Sequence, residues 1–396
     1  MKVRLLLLPL LLALPLQAQL MPVTDELRVD TGDGRIPNFV DVSMAADGSY
    51  LVVWSYHQET LPLSCTPGEI DGRRFDREGR PLGAAFVATR LDGWCVDHLR
   101  IGPEVDGRRL LVWHQTNGTG ARQWVVAALG ASGRAKRLRV IEGFNTVAMV
   151  PLRSGGLLQA IWSLKGKKSE LWGQRLGSTA RPSGAAFPIA RTPGGYVAVE
   201  AAETTGKDLA VSWMSSAAEP DRAVLQARAL RADGTPRSGV LQVTGPEDQM
   251  FYRLAAGADG RFVLVWTAID RIGIEIHSAL RAAQYQAQGT PLTPPLELTP
   301  PGDRIRTLQD LALDASGFFV PVWQAASGSS WDDNGAELVD ASGYVYSVEE
   351  PLAGDPTGMQ ILAAVATDNA GRWATAWTGD GPEGTGIYTR LFTSRP

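Results

Sequence analysis

A short phrase recurs along the chain: AADGSYLVVW at 45–54, GADGRFVLVW at 257–266, DASGFFVPVW at 314–323 and DNAGRWATAW at 368–377. Gly48, Gly107, Gly156, Gly260, Gly317 and Gly371 each stand six residues before a tryptophan, namely Trp54, Trp113, Trp162, Trp266, Trp323 and Trp377. A seventh copy ends at Trp213, where Lys207 takes the glycine position and Gly206 sits one earlier, as if the turn had moved by one residue. Successive tryptophans lie 59, 49, 51, 53, 57 and 54 residues apart. Periods of this size belong to propellers and solenoids, in which a unit too small to bury its own apolar face stacks on its neighbours.

Within the first unit, FVDVSMAA reads as a strand, Asp47-Gly48 as a two-residue hairpin turn needing positive φ, and SYLVVWS as the returning strand. EIDGRRFD and PLGAAFVAT read as two further strands joined across Arg77-Glu78-Gly79, and Gly133, Gly234, Gly289 and Gly343 recur at the matching turn. Four antiparallel strands per unit describe a propeller blade. The runs LVVW and VLVW are apolar on consecutive positions, so both faces of that strand must be covered. A tryptophan at the same strand position in every unit would fill the wedge between blades, each contributing about 3 kcal/mol by burial.

The expected fold is thus all-β, a single seven-bladed β-propeller of four-stranded antiparallel blades over residues 19–396. The blades fall at about 36–90, 91–144, 145–194, 195–248, 249–303, 304–357 and 358–396, the last completed by 22–33. That closure is read from the C-terminal unit, which shows three strands only, while ELRVDTGD at 26–33 resembles the fourth strands VLQVTGPED and LELTPPGD. The N-terminal strand would therefore latch the last blade, pairing Leu27 to Val29 near Tyr388 and removing an open edge. The pattern of Asp-Gly, apolar strand and tryptophan, followed by a charged strand as in DGRRFDREGRPLGAAFVAT, is similar to repeats of secreted bacterial β-propeller proteins, some of them adhesin-like. That resemblance covers the mature chain and implies export and a propeller, with no catalytic residue to carry over.

MKVRLLLLPLLLALPLQAQ has Lys2 and Arg4 before an apolar run and Ala18 where a signal peptidase could cut, so residues 1–18 read as an export signal. Export to the periplasm or beyond is expected, with no membrane span and a monomer. The formal net charge of -4 provides no basic field for nucleic acid. Two cysteines, Cys65 and Cys95, read as a disulfide in an exported chain, stapling the longest loop of blade one to the connector before blade two.

The turns within strand pairs are short, so recognition is expected on the opposite face, built from second-to-third strand loops and blade connectors. His57, His98 and His114 gather there in sequence, with Asp92 and Asp97 nearby; they read as a ligand or metal site, or as ordinary surface histidines. Asp33, Asp92, Asp248, Asp303 and Asp355 recur in the connectors, either as a carboxylate ring able to hold Ca²⁺ or as turn residues bonding their own backbone. Trp94 and Trp331, with Tyr196 and Phe144, read as platforms for a sugar ring or as packing. GxSxG, HExxH, P-loop and dinucleotide motifs are absent. A protein- or carbohydrate-binding or scaffold role is therefore placed ahead of a carbohydrate-active hydrolase or lyase with axial carboxylates, and of a calcium-stabilised envelope scaffold.

Overall fold

The computed structural model describes residues 19–57, 68–165, 168–192, 195–216, 222–246, 248–272, 275–302, 304–327, 330–346, 350–354 and 358–394. The expected export signal, Cys65, Asp303 and Asp355 lie outside them. No helix among the described residues is long and apolar enough to cross a membrane.

The strands form seven antiparallel sheets, each ordered as the chain runs. The first strand of each sheet touches its counterparts on either side, closing a ring of inner strands: Ile36–Met44, Trp94–Ile101, Thr146–Pro151, Tyr196–Glu203, Asp248–Ala256, Ile305–Leu313 and Gln360–Thr367. The last blade holds Gln360–Thr367, Arg372–Gly381 and Gly384–Thr393, and the chain's beginning supplies its outer strand. Leu27 pairs with Thr389 and Arg28 with Tyr388, while Met21 and Pro22 pair with Thr393 and Phe392. Val29 is wholly buried, and its N–H donates to Ile387 O at 2.7 Å. The ring is closed by first residues on last, as the truncated final repeat predicts.

Six wedge tryptophans, Trp54, Trp113, Trp213, Trp266, Trp323 and Trp377, are at most 2% exposed. Each faces the preceding blade: Trp113 packs with Leu51 and Val53, and Trp54 with Ala374 and Ala376. Blade three departs from the pattern. Its first turn is closed by Gly155, at φ 79°, whose N–H donates to Leu152 O, rather than by Gly156. A Cβ on Gly156 would lie 2.4 Å from Leu176 O, so close approach, not turn geometry, keeps that residue small. The one-residue offset flips the strand faces. Leu157 packs toward blade two and Leu158 with Ala160 toward blade four, so alternation puts Ile161 in the wedge position and Trp162, half-buried, on the other face. In blade four nothing has moved: Lys207 itself holds the turn at φ 62°, donating to Thr204 O.

The second turn glycine has two duties. Gly234 sits at φ 85°, and a Cβ there would lie 2.2 Å from Cγ of Phe187, the first residue of blade three's outer strand. Phe86 on Gly133 and Leu296 on Gly343 repeat the arrangement. At Gly79, Thr24 of the N-terminal segment takes the same place, so the latch also packs as an outer strand does.

Candidate functional site on the propeller axis

One inner-strand position recurs on the axis. The residue paired opposite the one preceding each wedge residue is Asp41, Arg100, Ala148, Glu200, Arg253, Asp310 and Ala364, taking the blades in order. Each lies thirteen positions before its wedge residue. The constant offset follows from the same number of residues separating this pair across the first turn of every blade, and it makes one layer of three acids, two arginines and two alanines around the axis.

The charged members reach across the ring. Arg100 Nη1 donates to Asp310 Oδ1 at 3.3 Å, and Arg100 Nη2 lies 3.6 Å from Glu200 Oε1. Arg253 Nη1 lies 3.5 Å from the same Glu200 oxygen. The acids also fasten neighbouring blades through backbone: Asp41 Oδ2 accepts from Ile101 N at 2.7 Å, and Asp310 Oδ2 from Val365 N at 3.0 Å. Burial raises the Asp41 carboxyl above the ordinary carboxylate range, against the pull of Arg100. Arg100, with Asp310, Glu200 and Asp41 around it, is held more firmly protonated than usual.

The two alanines leave room beside this layer. A cavity of about 700 Å³ follows the axis past Ala148, lined from all seven blades, and a smaller one of about 100 Å³ adjoins Ala364. The larger reaches Asp97, His98, His114 and Trp124 in blade two, Arg122 beside them and Phe251 in blade five. These residues stand near the beginnings of inner and third strands and the end of a second strand. Strand direction therefore places that mouth on the face of connectors and second-to-third strand loops, opposite the short glycine turns.

Blade two furnishes the rim because a bulge between Val96 and His98 turns Asp97 out of register, while His98 pairs directly with His114. Asp97 Oδ1 meets His114 Nδ1 at 2.5 Å. Both imidazoles pack on Trp124, with ring centroids 5.5 Å away for His98 and 5.0 Å for His114, and Trp124 Nε1 donates to Thr146 O. Burial foremost, then Arg100 and Arg253, pushes the His98 imidazole down to about 3, so it is neutral across the physiological range. Asp97 fixes His114, and the tryptophan is the platform for both rings.

Of the residues expected from sequence, His98 and His114 are thus brought together. His57 ends the second strand of blade one, paired through its backbone with Ile36. Trp94 is half-buried against the core between blades one and two, and Cys95 follows it. Trp331 pairs through its backbone with Ala326, and Asp248 with Ile269. Asp33 is exposed and hydrogen-bonded to Arg35, which holds its carboxyl down at about 2. Asp92 lies in an exposed turn. Neither lines the axial cavity, and no group of three or more metal-ligating side chains is found among the described residues. Phe144 is 71% exposed, below the Arg122 guanidinium.

No protein-family model matches the chain, and no curated protein does. Solved structures match in shape. An ulvan lyase of a polysaccharide lyase family superposes with a TM-score of 0.56 at 11% identity, covering 96% of each chain. A protein of unknown function from Dyadobacter fermentans gives 0.51 at 10% identity, over 95% of this chain and 100% of that one. The acylaminoacyl peptidase of Pyrococcus horikoshii gives 0.50 at 11% identity over 93% of this chain, which spans only 54% of the peptidase. At such identities the likeness is one of fold alone.

Proposed function

We propose that the protein is an exported binding propeller that takes a polar ligand into the axial cavity from the loop face. The observation carrying this reading is the cavity: about 700 Å³, lined by Ala148 and the charged layer, with imidazoles, Arg122 and Phe251 at its rim. Concave sites with a few convergent polar groups are where small ligands bind. Phe251, 37% exposed at the rim, offers a ring face to a saccharide. Export is part of this proposal, resting on the leader-like sequence of residues 1–18, and we further propose a Cys65–Cys95 disulfide.

The test is a thermal-shift screen of the purified protein against mono- and oligosaccharides and divalent metals. A saturable stabiliser whose effect falls at least ten-fold in affinity in His114→Ala or Phe251→Ala supports the reading. A stabiliser indifferent to both variants locates binding elsewhere and overturns it.

A carbohydrate-active enzyme is the second reading, favoured by one observation. The carboxylate-fixed imidazole of His114 beside neutral His98 has the makings of a proton acceptor and a positioned partner. Glycoside hydrolysis is less well served, because Glu200 and Asp310 are engaged by Arg100 and Arg253. Bond cleavage in a polysaccharide incubated with the protein, abolished by His114→Ala, would establish this reading over simple binding.

A further inference from the structure

We propose that the charged layer beneath the rim is a carboxylate-binding site, so that the ligand of the axial cavity is a sugar acid held by its acid group between Arg253 and Arg100. This rests on the reading of the cavity as the binding site and adds the class of ligand.

Three observations carry it. Arg253 Nε is buried without an acceptor among the described residues. Among the described residues, its Nη1 is engaged only by the carbonyl of Tyr252 at 3.0 Å and, more distantly, by Glu200. Second, the ion pairs of the layer, at 3.3 to 3.6 Å, are longer than the roughly 2.7–2.9 Å of a well-formed charge-assisted hydrogen bond. Two five-donor guanidinium forks therefore keep most of their hydrogen-bonding capacity. Third, the side chains of Arg100 and Arg253 remain 21% and 24% accessible and both line the cavity, so each guanidinium, apart from the enclosed Arg253 Nε, borders the space a ligand would occupy.

Charge selects the kind of anion. Glu200 and Asp310 offset the two arginines, and Asp41, favoured in its neutral form by burial, adds little negative charge at mildly acid pH. The layer is then close to neutral, so a phosphate dianion is disfavoured there more strongly than a single carboxylate. The planar guanidinium fork matches a carboxylate with two parallel hydrogen bonds. A carboxylate seated at this depth leaves its ring at the level of His98 and the rim, where imidazole nitrogens and Asp97 can meet hydroxyls and Phe251 a ring face.

The experiment compares D-glucuronate with D-glucose by titration calorimetry on the intact protein. Glucuronate is expected to bind at least ten-fold more tightly than glucose, with acetate competing, and Arg253→Gln is expected to erase that preference. Should Arg253→Gln fail to fold, Arg253→Lys, which keeps the charge and loses the fork, is expected to reduce the preference several-fold. Equal binding of the two sugars, or a preference unchanged in the folded variant, overturns this proposal and leaves the cavity reading standing. Binding of neither sugar, with a different saccharide captured in a manner dependent on Phe251, overturns it likewise. Binding of no saccharide overturns this proposal, and a stabiliser of any kind that is indifferent to His114→Ala and Phe251→Ala overturns the cavity reading with it.

Discussion

At single residues, the contrast between neighbouring positions is sharpest at Trp162. Six wedge tryptophans are sealed between blades, whereas Trp162 stands one residue further past its turn glycine, Gly155, and so falls on the opposite strand face. Trp266→Ala is expected to cost about 3–5 kcal/mol, the range for truncating a buried aromatic side chain. Trp162→Ala is expected to cost about 1–2 kcal/mol in proportion to its smaller burial. Urea denaturation of the two variants checks the difference, and equal losses would contradict the assigned facing. His98 gives a pH signature. Its folded pKa, about 3, lies below the ordinary 6.5, so the unfolded chain binds the extra proton between these values. Stability from this group is full above about 6.5 and lost as pH falls toward 3. His98→Asn should therefore flatten the acid limb of a stability profile across that window. Asp71 acts with the opposite sign: burial raises it from 3.8 to about 6, so its contribution is lost as pH rises through that interval. Asp71→Asn should remove that decline.

Among the elements, the outer strand of one blade rests on the second turn of the next. Gly234 needs its lack of a Cβ twice over, for φ 85° and for contact with Phe187. Gly234→Ala is expected to cost about 2–3 kcal/mol, combining backbone strain with displacement of the ring. Pairing it with Phe187→Ala should recover the steric share, leaving the strain; thermal unfolding of the single and double variants measures both. The inner strands impose a different constraint. Each carries its axial residue at one fixed register, so Ala148 and Ala364 create space merely by being small where other blades place long charged side chains. Ala148→Arg would send a guanidinium into the larger cavity, and saccharide binding there should fall by more than ten-fold, as read by titration calorimetry.

For the whole molecule, the ring depends on a join between the two ends of the described chain. Arg28 donates to Thr385 O at 2.7 Å and to Asp30, and Val29 is buried against the last blade. Val29→Asp buries a charge at this join and is expected to lower the melting temperature by more than 10 °C, with a rise in aggregation from the exposed edge of Gly384–Thr393. Light scattering alongside a thermal scan reports both. Cross-axis ion pairs tie blade two to blades four and six, and blade five to blade four. They are not credited with net stability, since desolvation of such charges offsets much of their attraction. Their consequence is the charged surface they present to the cavity.

Blade number, strand order and the latch were all legible in the repeat, because burial between stacked sheets requires the same residue types at the same strand positions in every copy. His98 and His114 were legible only as members of a sequence group that also held His57, which the fold places in blade one. The axial layer was also written in the chain, thirteen residues before each wedge position, yet Asp41, Arg100, Glu200, Arg253 and Asp310 share no residue type and so show no motif. What they face, which arginine donors stay unengaged and where alanine leaves a cavity depend on seven strands converging from some 320 residues of sequence. Local patterning determines how each sheet forms, while the chemistry of the axis is decided only when the ring closes and unlike side chains meet across it.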